Sequence, residues 1–387
     1  MLKYIDNQNV LREIFLAGAR QAELPESGVM IRRMPFESGV GRLAEKESQS
    51  SISGLMVRSH EVNNRFDYPV FMPSKEGQAD GAIIMMHGLN ERNWNKYLSW
   101  AQYLASKTGK GVILFPMAFH VNRSPGSWSD PRLMKPVADA RCGMDSDNAD
   151  STIFNAALST RLESHPEWFC TSGLQTSYDV LQLVRNIRAG LHPLFAYGTR
   201  VDFFAYSVGA FLLEVMLMAD PDEVLSESRS FLFLGGSSFE QMKGISRFIM
   251  DARAFDRLEE AFIRKDPAVV RDMIHLPRLD SFNPLWNGFM SMLRLDRLQN
   301  SRERRMKGMS HRISALALSN DKVIPARAIS RTLKGERRTS KIPIEVMDFP
   351  YPCIHENPFP VNQSDWAPAV NATFERVFSK AAAFLGT

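Results

Sequence analysis

The apolar positions of this chain fall into continuous runs that are separated by amphipathic stretches. Short, almost uninterrupted apolar runs predict strands that are buried on both faces of a sheet. They lie at 66–73, 81–88, 111–116, 201–206, 230–236, 312–318 and 342–348. Between them, apolar residues recur at the spacing of a helix face, which predicts helices at 96–107, 174–187, 211–218 and 366–385. Strands that alternate with helices predict an α/β fold with a doubly wound, mostly parallel sheet.

Two stretches depart from this alternation. Residues 1–65 form an N-terminal extension that the pattern leaves unassigned, and both packing on the core and a homodimer interface stay open for it. Residues 240–310 are rich in helical pattern, methionine and aromatic side chains. The chain is therefore divided into the extension, a core at 66–239 and 311–387, and a helical insertion at 240–310.

A serine stands where one apolar strand gives way directly to an apolar helix. The local sequence is Ala205-Tyr206-Ser207-Val208-Gly209, with small residues two positions before and two positions after the serine. A turn this tight leaves no room for bulky side chains at those two positions, and it holds the serine hydroxyl clear of the backbone. The alternative is a serine in an ordinary strand-to-helix turn that caps the helix.

In this context the motif resembles the nucleophile elbow of the α/β-hydrolase superfamily, with Ala205 in place of the usual first glycine. The strand that ends in His87-Gly88 is a second resemblance. It implies that the backbone N–H groups of Leu89 and Val208 form an oxyanion hole. His87 itself is interpreted as a structural turn histidine.

The resemblance also implies an acid and a base in the chain order serine, acid, histidine. Asp321 comes just after the strand at 312–318 and before an apolar pair and a proline, so it is the predicted acid. His355 lies in the loop after the last strand and is the predicted base. Taken singly, Asp321 also fits a turn aspartate and His355 a loop histidine. Further alternatives are Glu240 as the acid, and His311 or His120 as the base.

The resemblance implies hydrolysis of an ester, thioester or amide through an acyl-serine intermediate, most simply as a carboxylic ester hydrolase. It also implies that residues 240–310 form a helical cap over the site. His120, Trp128, Tyr206 and Trp286 are predicted to contact a small ester or acyl substrate. An acyltransferase with the same triad and a non-catalytic binding protein remain alternative hypotheses.

The composition of the chain bears on its partners, cofactors and localisation. The 387 residues are 44% hydrophobic and 23% charged, which is typical of a soluble globular protein. A net charge of +4 gives no general reason to expect a nucleic-acid partner, although the basic residues at 302–307 and 327–341 leave a polyanion binder as an alternative to solvated surface. No ligand cluster predicts a metal or cofactor. Three cysteines, the charges within residues 1–13 and the absence of a long apolar run predict a cytoplasmic protein without stable membrane insertion.

Overall fold

A computed structural model describes residues 3–40, 59–74, 77–144, 148–266, 269, 271–272 and 283–387. Nine strands in these residues form one sheet in the order β1-β2-β3-β5-β4-β6-β7-β8-β9. The strands are β1 (Gln21–Leu24), β2 (Val29–Glu37), β3 (Arg65–Pro73), β4 (Ala79–Met86), β5 (Gly111–Phe115), β6 (Phe195–Tyr206), β7 (Ser230–Phe233), β8 (Ile313–Leu318) and β9 (Ile344–Met347).

Strands β4 to β9 pair with one another in parallel, and β1, β2 and β3 extend the sheet in antiparallel pairings beyond β5. The order confirms the predicted doubly wound, mostly parallel sheet. From β4 the chain moves outward to β5 and then returns to the other side of β4 at β6. The loops after β4 and β6 therefore diverge and leave a crevice at the carboxyl ends of these strands.

Twelve α-helices have both ends within the described residues. They are α1 (Tyr4–Leu16), α2 (Ser59–Asn64), α3 (Asn95–Thr108), α4 (Pro131–Met144), α5 (Ala156–Ser164), α6 (Glu167–Arg188), α7 (Val208–Ala219), α8 (Ala252–Glu259), α9 (Asn283–Leu293), α10 (Gln299–Gly308), α11 (Ala326–Lys334) and α12 (Ala367–Leu385). Helices α1, α3 and α12 bury their apolar side chains against one face of the sheet. Helices α6, α7, α8 and α9 contribute to the apolar core on the other face.

The N-terminal extension is part of the sheet. Strands β1 and β2 both lie within residues 1–65, so the core begins well before residue 66. Helix α1 packs beside α3 and α12, and the Tyr4 hydroxyl donates to the Phe359 carbonyl oxygen at 3.1 Å. The sequence pattern did not reveal these strands because strand formation depends more on pairing and packing with distant residues than on the composition of the strand itself. Residues 41–58 of the extension lie outside the described residues.

The helical insertion packs on the helix that follows the serine. Helix α9 crosses α7 so closely that a Cβ atom at Gly288 would collide with the Val215 carbonyl oxygen. Within the same insertion, Arg302 is 2% exposed, although the sequence predicted a solvated basic cluster there. Its guanidinium donates to the Ser291 carbonyl oxygen in the last turn of α9 and to the Arg297 carbonyl oxygen in the segment that follows, and so satisfies acceptors that the helix end leaves open. Residues 267–268, 270 and 273–282 of the insertion lie outside the described residues.

A fully buried ion pair joins α6 to the loop after β5. The Arg123 guanidinium lies 2.7 Å from an Asp179 carboxylate oxygen, and both side chains have no exposed area. The other Asp179 oxygen accepts from the Ser38 hydroxyl at 2.6 Å, and Arg123 also donates to the Asn63 carbonyl oxygen at 2.9 Å. The pair therefore fixes the end of β2 and α2 against the crevice loop.

We expect Arg123→Met to lower the free energy of unfolding by about 3–5 kcal/mol, because it leaves the Asp179 carboxylate buried without its counter-ion. Urea denaturation followed by circular dichroism measures the change. The matched control is Lys135→Met, which breaks an exposed ion pair with Asp139 and should cost about 1 kcal/mol or less. Equal losses for the two variants would contradict this assignment.

In the part of the chain that the structure describes, no helix combines the length and the apolar composition needed to cross a membrane.

Candidate active site

Ser207 occupies a one-residue turn between β6 and α7. Its backbone angles are φ 58° and ψ −125°, outside the regions that non-glycine residues normally adopt. Neighbouring contacts fix this strained conformation. The Ser207 N–H donates to the Phe233 carbonyl oxygen at 3.1 Å, and α7 begins with the next residue. Backbone strain of this kind persists only where neighbouring contacts determine it, and it is concentrated at functional sites.

The small residues around the serine are required by close backbone contacts. A Cβ atom at Gly209 would lie 2.7 Å from both the Met86 and His87 carbonyl oxygens. A Cβ atom at Gly235, in the loop after β7, would lie 2.6 Å from the Ser207 carbonyl oxygen. The helix that follows Ser207 therefore starts directly against the end of β4, and the crevice loops are held together around the hydroxyl.

We expect Gly209→Ala to destabilise the protein by about 1–3 kcal/mol, because the added methyl group overpacks against two backbone oxygens that cannot move independently. Gly143→Ala is the matched control, since a Cβ atom there meets nothing within 4 Å and alanine favours the helix. Chemical denaturation of both variants measures the difference. A Gly209→Ala variant as stable as Gly143→Ala would contradict the described turn.

Three side chains form a continuous hydrogen-bonded series at the carboxyl ends of the strands. The Ser207 hydroxyl oxygen lies 2.6 Å from His355 Nε2. His355 Nδ1 lies 2.7 Å from Asp321 Oδ2. Because a carboxylate accepts this bond, Nδ1 carries the proton, and Nε2 presents its lone pair to the serine hydroxyl.

Separate loops fix the histidine and the aspartate. The other carboxylate oxygen of Asp321 accepts the backbone N–H groups of Val323 and Ile324, at 2.8 and 2.9 Å, which orients the carboxyl plane. The His355 ring stacks on the Tyr206 ring with centroids 5.6 Å apart, and the Tyr206 hydroxyl donates to the His355 carbonyl oxygen. The side chains of His355 and Asp321 are 2% and 0% exposed, so water has little access to their bond.

The predicted oxyanion residues, Leu89 and Val208, line one pocket beside the serine. Among the described residues, no acceptor receives a hydrogen bond from the N–H of either one. His87 holds the first loop: Nδ1 donates to the Gly88 carbonyl oxygen at 2.7 Å, and Nε2 accepts the Met117 N–H at 2.9 Å. Burial lowers the pKa of His87 well below its usual value, so the ring is a neutral structural group.

This pocket has a volume of about 50 Å³ and is mostly apolar, with Phe211, Leu212 and Phe289 among its walls. His120 is one of its few polar residues. Its Nδ1 donates to the Ala118 carbonyl oxygen at 2.9 Å, and burial lowers its pKa to about 4. His120 is therefore neutral near pH 7, and no hydrogen bond joins it to Ser207.

The other predicted contact residues do not line the pocket. Trp128 stacks against the guanidinium of Arg161, and Trp286 stacks behind Phe289. Tyr206 lies on the far side of the His355 ring, in the core formed with α3 and α12. In the structure, Trp128 and Trp286 pack against residues of the pocket wall, and Tyr206 packs against His355. Contact of these three side chains with a substrate stays a prediction.

The alternative acid and base lie away from the series. Glu240 accepts the Leu295 N–H at 2.8 Å and faces Arg294. His311 is exposed and precedes β8, at the opposite edge of the sheet from the serine. Arg161, a pocket residue on α5, was missed because an arginine within an amphipathic helix normally indicates a solvated face.

The chain is similar in structure to several solved esterases. One is a thermostable esterase from Pseudomonas putida, with 11% identity, a TM-score of 0.47, and coverage of 99% of this chain and 91% of that chain. Another is an esterase from Pyrobaculum calidifontis, with 12% identity, a TM-score of 0.46, and coverage of 98% and 91%. A third is brefeldin A esterase, a bacterial homologue of human hormone-sensitive lipase, with 13% identity, a TM-score of 0.49, and coverage of 98% and 85%.

A search of curated proteins finds no match. At such low identities the solved structures assign no residue of this chain a role. One family model matches residues 2–386, almost the whole length. The chain belongs to that family, DUF6051, a family of unknown function.

Proposed function

We propose that this protein is a serine hydrolase of carboxylic esters. The observation that carries the proposal is the hydrogen-bonded series from the Ser207 hydroxyl through His355 to Asp321, at 2.6 and 2.7 Å. Both distances are those at which a base can take a proton from a nucleophile and an acid can orient the base. The three residues follow three different strands, β6, β8 and β9, and the fold brings their side chains together at one end of the sheet.

The reaction follows from the direction of these hydrogen bonds. The Ser207 oxygen attacks the ester carbonyl carbon while its proton passes to His355 Nε2. The carbon–oxygen bond to the alcohol then breaks, and the alcohol leaves with the proton that His355 held. Water next attacks the acyl-serine, gives a proton to His355, and releases the acid as serine is regenerated. Asp321 keeps the imidazole oriented and stabilises its positive charge in both halves of the reaction.

The N–H groups of Leu89 and Val208 are the proposed oxyanion donors. Both residues border the pocket beside Ser207, and both N–H groups lack an acceptor in the described structure. A tetrahedral intermediate places its negative oxygen where such donors converge, and each donor contributes about 3 kcal/mol to lowering the barrier. The α7 N-terminus adds its partial positive charge at the same point.

We further propose that residues 240–310 act as a cap over this crevice. The Phe248 carbonyl oxygen accepts from the Asn90 side chain in the oxyanion loop at 2.7 Å. The Ser246 hydroxyl bonds the side chain of Glu356, next to the predicted base. Phe289 of α9 forms part of the pocket wall. The insertion thus contacts the loop that carries Leu89 and the loop that carries His355. It also limits the space for an acyl group in the pocket.

Initial rates with p-nitrophenyl esters of increasing acyl length test the proposal, with a thioester and an anilide of the same acyl group for comparison. We expect ester turnover that is fastest for short acyl groups, because the pocket is small. Added alcohol should not divert the product to a new ester if water is the acceptor. A folded protein that hydrolyses none of these substrates would contradict the proposal.

A further inference from the structure

The pocket beside Ser207 contains a buried arginine that has no counter-ion among the residues that the structure describes. Arg161 lies on α5 and lines this pocket together with the oxyanion residues Leu89 and Val208. It is 7% exposed. Its Nε donates to the Ala157 carbonyl oxygen at 3.2 Å, and its guanidinium carbon lies 3.6 Å from the centre of the Trp128 ring. Within the described ranges, the terminal guanidinium nitrogens form no hydrogen bond and no ion pair.

The terminal guanidinium nitrogens of the other deeply buried arginines have partners. Arg123 pairs with Asp179 and donates to two carbonyl oxygens. Arg141 pairs with Asp251 and Glu163. Arg302 donates to several carbonyl oxygens. Arg161 therefore differs from the other buried arginines of this protein. Because burying an unpaired charge costs much free energy, a buried guanidinium normally has a partner.

The surroundings of Arg161 favour an anion as that partner. Burial lowers the pKa of Arg161 to about 9, which still leaves the guanidinium charged at neutral pH. His120, its neighbour in the pocket, stays neutral because burial and the arginine charge both lower its pKa. The remaining walls are mostly apolar, and stacking on Trp128 holds the guanidinium plane in place. A single fixed positive charge in an apolar pocket is complementary to one carboxylate, since a dianion would bring a second charge without compensation.

We propose that the ester substrate carries a carboxylate on the part that enters this pocket, and that Arg161 binds it. The inference rests on the proposed function for its placement next to the scissile bond. The class is therefore a monoester of a dicarboxylic acid, or an acyl ester of a hydroxy acid. In both, the carboxylate pairs with Arg161 while the ester carbonyl reaches Ser207.

The kinetic test compares charged and neutral esters of equal length. One arm uses monoethyl esters of dicarboxylic acids against ethyl esters of the corresponding monocarboxylic acids. The other arm uses acetyl esters of hydroxy acids against alkyl acetates. We expect kcat/KM to favour the charged member of one arm by about 10- to 100-fold, the range of a charge-assisted hydrogen-bonded pair. Arg161→Met should reduce this ratio to near unity, and Arg161→Lys should give an intermediate ratio because it lacks the planar fork.

A binding test does not depend on catalysis. Calorimetric titration of Ser207→Ala with hexanoate and with hexanamide should show binding of the carboxylate only, and Arg161→Met in the same background should lose it. Arg132→Met is the matched control, since Arg132 is exposed and lies outside the pocket. A preference for charged esters, or hexanoate binding, that persists in the Arg161→Met variant overturns the proposal. Equal kcat/KM values for charged and neutral esters, or equal binding of hexanoate and hexanamide, would also overturn it. Hexanoate binding through Arg161 without any ester turnover would instead contradict the hydrolase function alone.

Discussion

Ser207→Ala is expected to lower kcat for ester hydrolysis by at least about 10⁴-fold, because it removes the hydroxyl that would form the proposed acyl intermediate. In the folded protein His355 Nε2 has the Ser207 hydroxyl as its partner at 2.6 Å, and removing that oxygen leaves the base with nothing to activate. The residual rate should reflect only binding and oxyanion stabilisation. Initial rates with the best p-nitrophenyl ester measure the change.

The control for this variant is Ser379→Ala on the exposed side of α12, where the hydroxyl donates to a carbonyl oxygen of its own helix. It should hydrolyse the ester at the wild-type rate. The Ser207→Ala protein should unfold at least as cooperatively as the wild type, because alanine fits the same small space. A folded Ser207→Ala protein that retains a tenth or more of the activity, about 1.4 kcal/mol in barrier terms, would contradict the assigned nucleophile.

Asp321→Asn is expected to lower kcat by about 10⁴-fold near neutral pH while leaving the fold intact. The asparagine oxygen can still accept the N–H groups of Val323 and Ile324, so its amide nitrogen points at His355. An amide nitrogen donates and cannot accept, so it selects the imidazole tautomer with the proton on Nε2. That tautomer has no lone pair to take the proton of Ser207.

Asp348→Asn is the matched control, because Asp348 is exposed and accepts from Ser319 in the neighbouring loop. It removes the same charge close to the site and should change kcat by less than about tenfold, since it orients no catalytic group. Initial rates with the same p-nitrophenyl ester at neutral pH separate the two effects, because only Asp321→Asn should change the imidazole tautomer. Equal losses in both variants would show that local charge, and not the orientation of His355, determines the rate.

Local chemistry explains why the candidate triad could be predicted from sequence. Ser207 follows a buried strand and precedes an apolar helix, and Gly209 is required there by contacts with the end of β4. Asp321 and His355 follow β8 and β9, and parallel strands bring their carboxyl ends to one edge of the sheet. The structure brings these three side chains together, and their catalytic role remains a proposal for the experiments above.

Long-range packing explains what the sequence did not reveal. Strand β2 pairs with β3 and strand β1 pairs with β2, and the pattern of residues 1–65 gives no sign of this pairing. Arg161 and Arg302 both occur in helical stretches where a charged residue normally indicates solvent, yet both are buried. The direction that Trp128 and Trp286 face was equally undetermined, because either side of a helix or loop can turn inward until its neighbours are placed.

The most direct measurement is fluorophosphonate labelling of the wild type, Ser207→Ala and His355→Ala, with the adduct mapped by mass spectrometry. The reagent reacts with a serine that a neighbouring base activates, and it requires no knowledge of the substrate. We expect a single adduct on Ser207 in the wild type, and no adduct in either variant. An unlabelled but folded wild type, or an adduct on another serine, would contradict the proposed role of Ser207 and His355.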